Sequence, residues 1–106
     1  MTLKKMSLDN YTVSDVKTFS SNDTGVILNI CANESGIYMT GQNIRWNSEH
    51  TKVLGAEYKI ILCQKDGTVQ KSWDITEDLA DRNSEEEAVY LADIACDKEG
   101  NIYLTY

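Results

Sequence analysis

Four side chains near the C-terminus, Asp93, Asp97, Glu99 and Asn101, offer oxygen atoms in close succession, the raw material of a calcium loop. Such a loop also needs a glycine after the first ligands and a bidentate glutamate further on. Here Gly100 falls between Glu99 and Asn101, and no acid follows. The set is therefore read as a turn in which Asp97 and Asn101 bond the local backbone. Cys31, Cys63 and Cys96 each lie in an apolar, strand-like run. Three thiols cannot all pair within one chain, so they are read as buried small hydrophobes, with one bridge and one free thiol as the alternative in an oxidising compartment. There is no Cys-x-x-Cys pair and His50 is the sole histidine, which leaves no zinc set at usable spacing. His50 sits between Glu49 and Thr51 in a polar stretch with no nucleophile motif beside it. Glu85 and Glu86 could exchange protons only if an apolar shell shifted their affinity, and they lie in a solvated acidic run. No catalytic residue, metal ligand or cofactor is assigned.

The large aromatic residues point to binding instead. Tyr38, Trp46, Tyr58, Trp73, Tyr90 and Tyr103 are spread along apolar runs, where core packing and cross-strand pairing are their usual fate. Tyr38 and Trp46 differ in having Gln42, Asn43 and Arg45 interleaved with them. Tyr and Trp with an arginine are the side chains that anchor interfaces, so Tyr38, Trp46 and Arg45 are the candidate binding residues.

These side chains require strands to carry them. The 106 residues hold six Tyr, two Trp and no proline, and 42% of them are hydrophobic, a β-leaning composition that suits one domain. Leu3 to Leu8 and Val13 to Phe19 read as short strands around an Asp9-Asn10 turn, and Ser20 to Gly25, with Asn22-Asp23, reads as a loop. Val26 to Asn33, Ile37 to Trp46, Tyr58 to Gln64 and Thr68 to Ile75 read as four successive strands. Glu34-Ser35-Gly36 and Asp66-Gly67 are the hairpin turns, Asn47 to Gly55 is a loop, and Val69 and Trp73 are the inward anchors of the last strand. A helical turn is expected from Thr76, then a loop to Glu87. Val89 to Asp97 and Ile102 to Tyr106 form a final hairpin.

That final hairpin nearly repeats an earlier one. Ile30-Cys31-Ala32-Asn33-Glu34-Ser35-Gly36-Ile37-Tyr38-Met39-Thr40 returns 64 positions later as Ile94-Ala95-Cys96-Asp97-Lys98-Glu99-Gly100-Asn101-Ile102-Tyr103-Leu104-Thr105, with Asn101 inserted after the glycine. The second copy resembles the blade signature of NHL-like β-propellers, in which an apolar strand ends in Asp and a Gly-Asn turn leads to Ile or Val with Tyr. Leu62 to Trp73 resembles the outer hairpin of such blades. A weaker similarity extends to the propellers of bacterial lipoproteins and solute-binding proteins. The first copy departs from the pattern, with Asn33 in place of Asp and no Asn after Gly36. The resemblance implies an all-β fold of antiparallel four-stranded meanders: a partial blade and loop over 1–25, one full blade over 26–75, an acidic connector over 76–88 and the start of a further blade over 89–106. Propellers of this kind close with four or more blades, so the chain is expected to be either a fragment of a longer protein or a small β domain with convergent hairpins.

The net charge of −7 argues against a nucleic-acid partner, which needs a basic surface. The first residues carry two lysines without the apolar run of a secretory signal, and no stretch is long enough to span a membrane. The compartment is left unassigned. The functional expectation is a non-catalytic binding or scaffold module, part of a propeller-like domain that presents loops to a protein, peptide or glycan. The alternatives are the propeller portion of an enzyme whose active site lies outside this chain, and a small β protein that self-associates through the strand ending at Tyr106.

Overall fold

The computed structural model describes the backbone of residues 1–106 and every side chain except that of Asp23, so the expected role of Asp23 in a turn lies outside the described residues. The fold is all-β and antiparallel. β1 (Thr2–Met6) and β2 (Val13–Thr18) form one hairpin. β3 (Val26–Asn33), β4 (Gly36–Trp46), β5 (Val53–Cys63) and β6 (Val69–Asp74) form a four-stranded meander in sequence order. β7 (Asp93–Cys96) and β8 (Ile102–Thr105) form a second hairpin.

The turns follow from local chemistry. Asp66 accepts the Thr68 amide at 2.9 Å while Gly67, at φ 89°, closes the β5–β6 hairpin. Gly36 sits at φ 144° and packs its bare Cα against the Cys63 carbonyl, a contact that leaves no room for a Cβ. Asn47 holds the β4–β5 loop by accepting the amides of Thr51 at 2.8 Å and Lys52 at 3.1 Å. Within the expected loop before β3, Ser21–Thr24 makes a single helical turn, with Ser20 Oγ accepting the Asn22 amide.

The two hairpins cover opposite faces of the meander. On one face Phe19 packs with Ile27, Met39, Ile61 and Cys63, and Leu3 of β1 closes over them. On the other, Ile94 of β7 packs with Tyr38 and Ile60, flanked by Trp73, Ile102 and Leu104. A third cluster joins Tyr58 to Leu79 and Leu91 at one end of the sheet. Each such buried side chain contributes about 1.5–3 kcal/mol relative to exposure. Because β4 is covered twice, Tyr38, Met39, Thr40, Gly41 and Gln42 are buried in succession and the usual alternation disappears.

Several boundaries differ from expectation. Val53 to Gly55 belong to β5 and not to the preceding loop. Val69 faces outward, 44% exposed, because a register shift at Leu62/Cys63 turns it away from the core, whereas Trp73 is half-buried as expected. Residues 89 to 92 do not belong to β7, although the Ala92 amide donates to the Thr105 carbonyl at 2.8 Å, and the helical turn after Thr76 is a 3-10 helix, Glu77–Arg82.

Candidate functional site

The binding candidates do not form one surface. Tyr38 is 5% exposed, so it is a core residue and not a surface one: β7 and β8 lie over the face it occupies. Eight residue steps along β4 separate it from Trp46, about 26 Å at strand rise. Arg45 and Trp46 stand together at the far end of β4, Arg45 exposed and Trp46 half-buried.

A groove of about 380 Å³ opens beside that end, lined by Val53 to Ala56 of β5 and by Thr76, Ala80, Asn83, Ser84 and Glu85 of the connector. Its shape comes from two local devices. Arg45 pairs with Gly55 and Trp46 with Val53, so Leu54 is the extra residue of a bulge and stands 67% exposed at the rim. The Arg45 guanidinium lies across Gly55, where an added Cβ would meet Nη2 at 2.5 Å. The connector is tied back to the sheet by the Val53 amide, which donates to the Glu85 carbonyl at 2.7 Å.

The polar groups near the groove are largely committed to structure. Asn83 Oδ1 accepts the Val89 amide at 2.7 Å, and its Nδ2 donates to the Leu79 carbonyl at 3.2 Å. The Tyr58 hydroxyl reaches the Val89 carbonyl at 2.7 Å and lies 3.1 Å from Asn83 Oδ1. Burial raises the Tyr58 pKa above its ordinary value, although the Asn83 contact works in the opposite direction. Ser84 Oγ accepts the Glu87 amide at 3.0 Å, and Thr76 Oγ1 accepts that of Tyr58 at 3.0 Å. Glu85 meets Lys52 at 4.0 Å, an exposed pair of little energetic weight. The His50 ring, at a backbone φ of 54°, packs near Trp46 with centroids 6.4 Å apart. The site offers shape and an apolar rim residue, with the Arg45 guanidinium across the neighbouring Gly55. That suits recognition.

Asp97 makes the turn expected of it: Oδ1 accepts the Asn101 amide at 2.8 Å, and Oδ2 accepts Asn101 Nδ2 at 2.8 Å and the Tyr103 hydroxyl at 3.2 Å. Among the described residues, no three His, Cys, Asp or Glu side chains converge to hold a metal ion. Cys31, Cys63 and Cys96 are free thiols, Cys63 buried and the other two half-buried. Among the described residues, no helix is long and apolar enough to cross a membrane.

Leu54, Asn83 and Ser84 were not legible as site residues. The pairing of segment 53–56 with segment 76–85 is a tertiary event, and only the polar, turn-forming character of Asn83-Ser84 hints at it. No family model matches the chain, no curated protein matches it, and no solved structure matches it.

Proposed function

We propose that this chain is a non-catalytic binding module built on a propeller-like blade, and that it takes an extended protein or peptide segment in the groove beside Arg45 and Trp46. The observation that carries this reading is the groove itself. About 380 Å³ of concave surface has the exposed Leu54 in its lining, and the Arg45 guanidinium lies across Gly55, another of its lining residues. An exposed leucine beside an arginine suits a segment that carries an apolar residue next to a carboxylate. Support for the blade comes from the order of the elements: a four-stranded meander with a hairpin on each face.

The test is selection from a displayed peptide library, followed by titration monitored through intrinsic tryptophan fluorescence, to which Trp46 and Trp73 both contribute. Binding that Leu54→Glu and Arg45→Ala each weaken tenfold or more supports the groove. Both residues are exposed, so neither variant should alter the melting temperature appreciably. Selected peptides that bind both variants as tightly as the parent would remove the groove from consideration.

A further inference from the structure

Residues that correspond in the two repeat copies have opposite fates. Ile94 is 5% exposed, while its counterpart Ile30 is 52% exposed. Tyr38 is 5% exposed, while its counterpart Tyr103 is 58% exposed. The cause is visible in the stacking. Ile94 is covered because β7 lies on the meander, and Tyr38 is covered because β7–β8 lies on its face. On Ile30's side the β1–β2 hairpin packs over Met39, Ile61 and Cys63 and leaves Ile30 uncovered, and Tyr103 has no further sheet beyond it. One interface has been made within the chain, and the two halves of an identical one are left open at its ends.

We infer that a second copy of this chain closes those halves, docking head to tail so that the Ile30 face of one copy receives the Ala95–Tyr103 face of the other. This inference rests on the blade reading proposed above and names the partner of its uncovered faces. The receiving face is apolar: Leu28 and Ile30 border a cavity of about 110 Å³ also lined by Leu3, Phe19 and Met39. The donating face is shallow, with about 90 Å³ between Asp93, Ala95, Tyr103 and Thr105.

The strand count fits the same geometry. A stack continued in the in-chain sense sets β1–β2 of the second copy beside the free edge of β8. Two strands from each chain then make a four-stranded sheet like β3–β6, and each copy contributes two blades' worth of strands. That two-chain sheet would also cover a groove of about 380 Å³ over Tyr38, Ile60, Trp73 and Ile75, which β7–β8 is too narrow to close. Exposed area points the same way. The chain leaves 7132 Å² accessible, against about 6,000 Å² for a folded monomer of 12.0 kDa. Its radius of gyration is 15.3 Å, against about 13 Å for a compact domain of this length. A heterologous contact of this kind closes into a ring when its rotation permits.

The test uses the full chain and two charge variants at exposed positions, Ile30→Asp on the receiving face and Ala95→Arg on the donating face, with Leu28→Asp as a second receiving-face block. Light scattering after gel filtration should show the parent above monomer mass at micromolar to millimolar concentration. Each variant alone should dissociate at least tenfold more readily. Mixing Ile30→Asp with Ala95→Arg should restore a one-to-one pair, because each keeps the face that the other has lost. A parent that stays monomeric, or variants that remain monomeric when mixed, overturns the inference. Amide exchange separates the two levels of failure. A monomer with β7–β8 amides protected loses the assembly and keeps the blade, whereas unprotected β7–β8 amides remove the blade as well.

Discussion

The side-chain amide of Asn33 donates to the backbone carbonyl of Asp97 at 2.8 Å, and the two residues are 64 positions apart, which is the spacing of the repeat itself. Asn33 is the last residue of β3 and Asp97 directly follows the last residue of β7, so the bond joins a position to its own counterpart. Asn29 makes the matching bond one step away, to the Ala92 carbonyl at 3.0 Å. β3 and β7 are thus held side by side through asparagine side chains, with Ile94 packed between the two links.

Asn33→Ala should therefore cost about 1–2 kcal/mol, since it removes both the Asp97 link and the acceptor for the Ser35 amide. Asn33→Asp separates the two roles. It keeps an acceptor for Ser35 but sets a carboxylate against a carbonyl oxygen. Amide exchange at β7–β8 should rise strongly in Asn33→Asp while the β3–β4 turn stays protected. Equal exchange in parent and Asn33→Asp would show that the link does not hold the hairpin.

What could be read in the sequence was what depends on neighbours in the chain. The β3–β4 and β5–β6 hairpins were legible because Gly36 and Asp66-Gly67 carry their own turn chemistry. The polar Gln42, Asn43 and Arg45 near Tyr38 suggest a wet face, but Tyr38 is buried, and nothing in β4 announces that hairpins from both ends of the chain cover it. Val69 was misjudged because a bulge shifts phase without a sequence signal. The groove joins Val53 and Glu85, 32 positions apart, through one backbone bond, and backbone bonds leave no mark on side-chain pattern.

Thr40 is fully buried, and among the described residues its hydroxyl has no hydrogen-bond partner. An unsatisfied buried hydroxyl costs about 1–3 kcal/mol. Thr40→Val keeps the branched shape without the polar atom. It should stabilise the fold by about 1 kcal/mol, raising the melting temperature by roughly 4–8 °C. A melting temperature at or below that of the parent would place an unseen partner on this hydroxyl.

Two glycines are needed for different reasons. Gly41 lies so close to the Thr24 carbonyl that a Cβ could not be placed without moving backbone. Gly100 has open space around its missing Cβ but a φ of 91°. Gly100→Ala should cost about 1 kcal/mol, from backbone conformation alone. Gly41→Ala should cost about 3 kcal/mol, because the helical turn at Ser21–Thr24 must lift from β4. Denaturant melts of the two variants check the ordering.

Burial pushes the Cys31 thiol up to about 12 from an ordinary value of 9.0, helped by its hydrogen bond to Cys96 and by the negative potential of Cys96 and Asp93. Burial also raises the Cys63 pKa. A pKa raised on folding supports the fold at all pH values below 9.0, and that support is lost as pH climbs from 9.0 towards 12. Stability should fall across that window, and Cys31→Ser should flatten the fall. At pH 8 iodoacetamide should leave Cys31 and Cys63 unlabelled in the native chain and label both in denaturant, read by peptide mass.

Asp97 behaves in the opposite sense. Its bonds from Asn101 and, more weakly, Tyr103 favour the carboxylate and hold its pKa below the ordinary 3.8. A pKa lowered on folding contributes stability above 3.8, and this contribution disappears as pH falls through the depressed value. The contribution is therefore constant at neutral pH and lost only in acid. Asp66 and Asp74 share the direction, each through a turn bond, to Thr68 and Thr76 respectively. Asp97→Asn should keep the Asn101 amide bond through its carbonyl oxygen, just as the Asn33 side-chain carbonyl oxygen accepts the Ser35 amide in the other copy, and lose the acid-sensitive part. The protection factor of the Asn101 amide, its exchange rate relative to the intrinsic rate at each pH from 6 down to 3, should fall in the parent below 3.8 and change little in Asp97→Asn. Matching profiles would mean that the turn draws nothing from the charge.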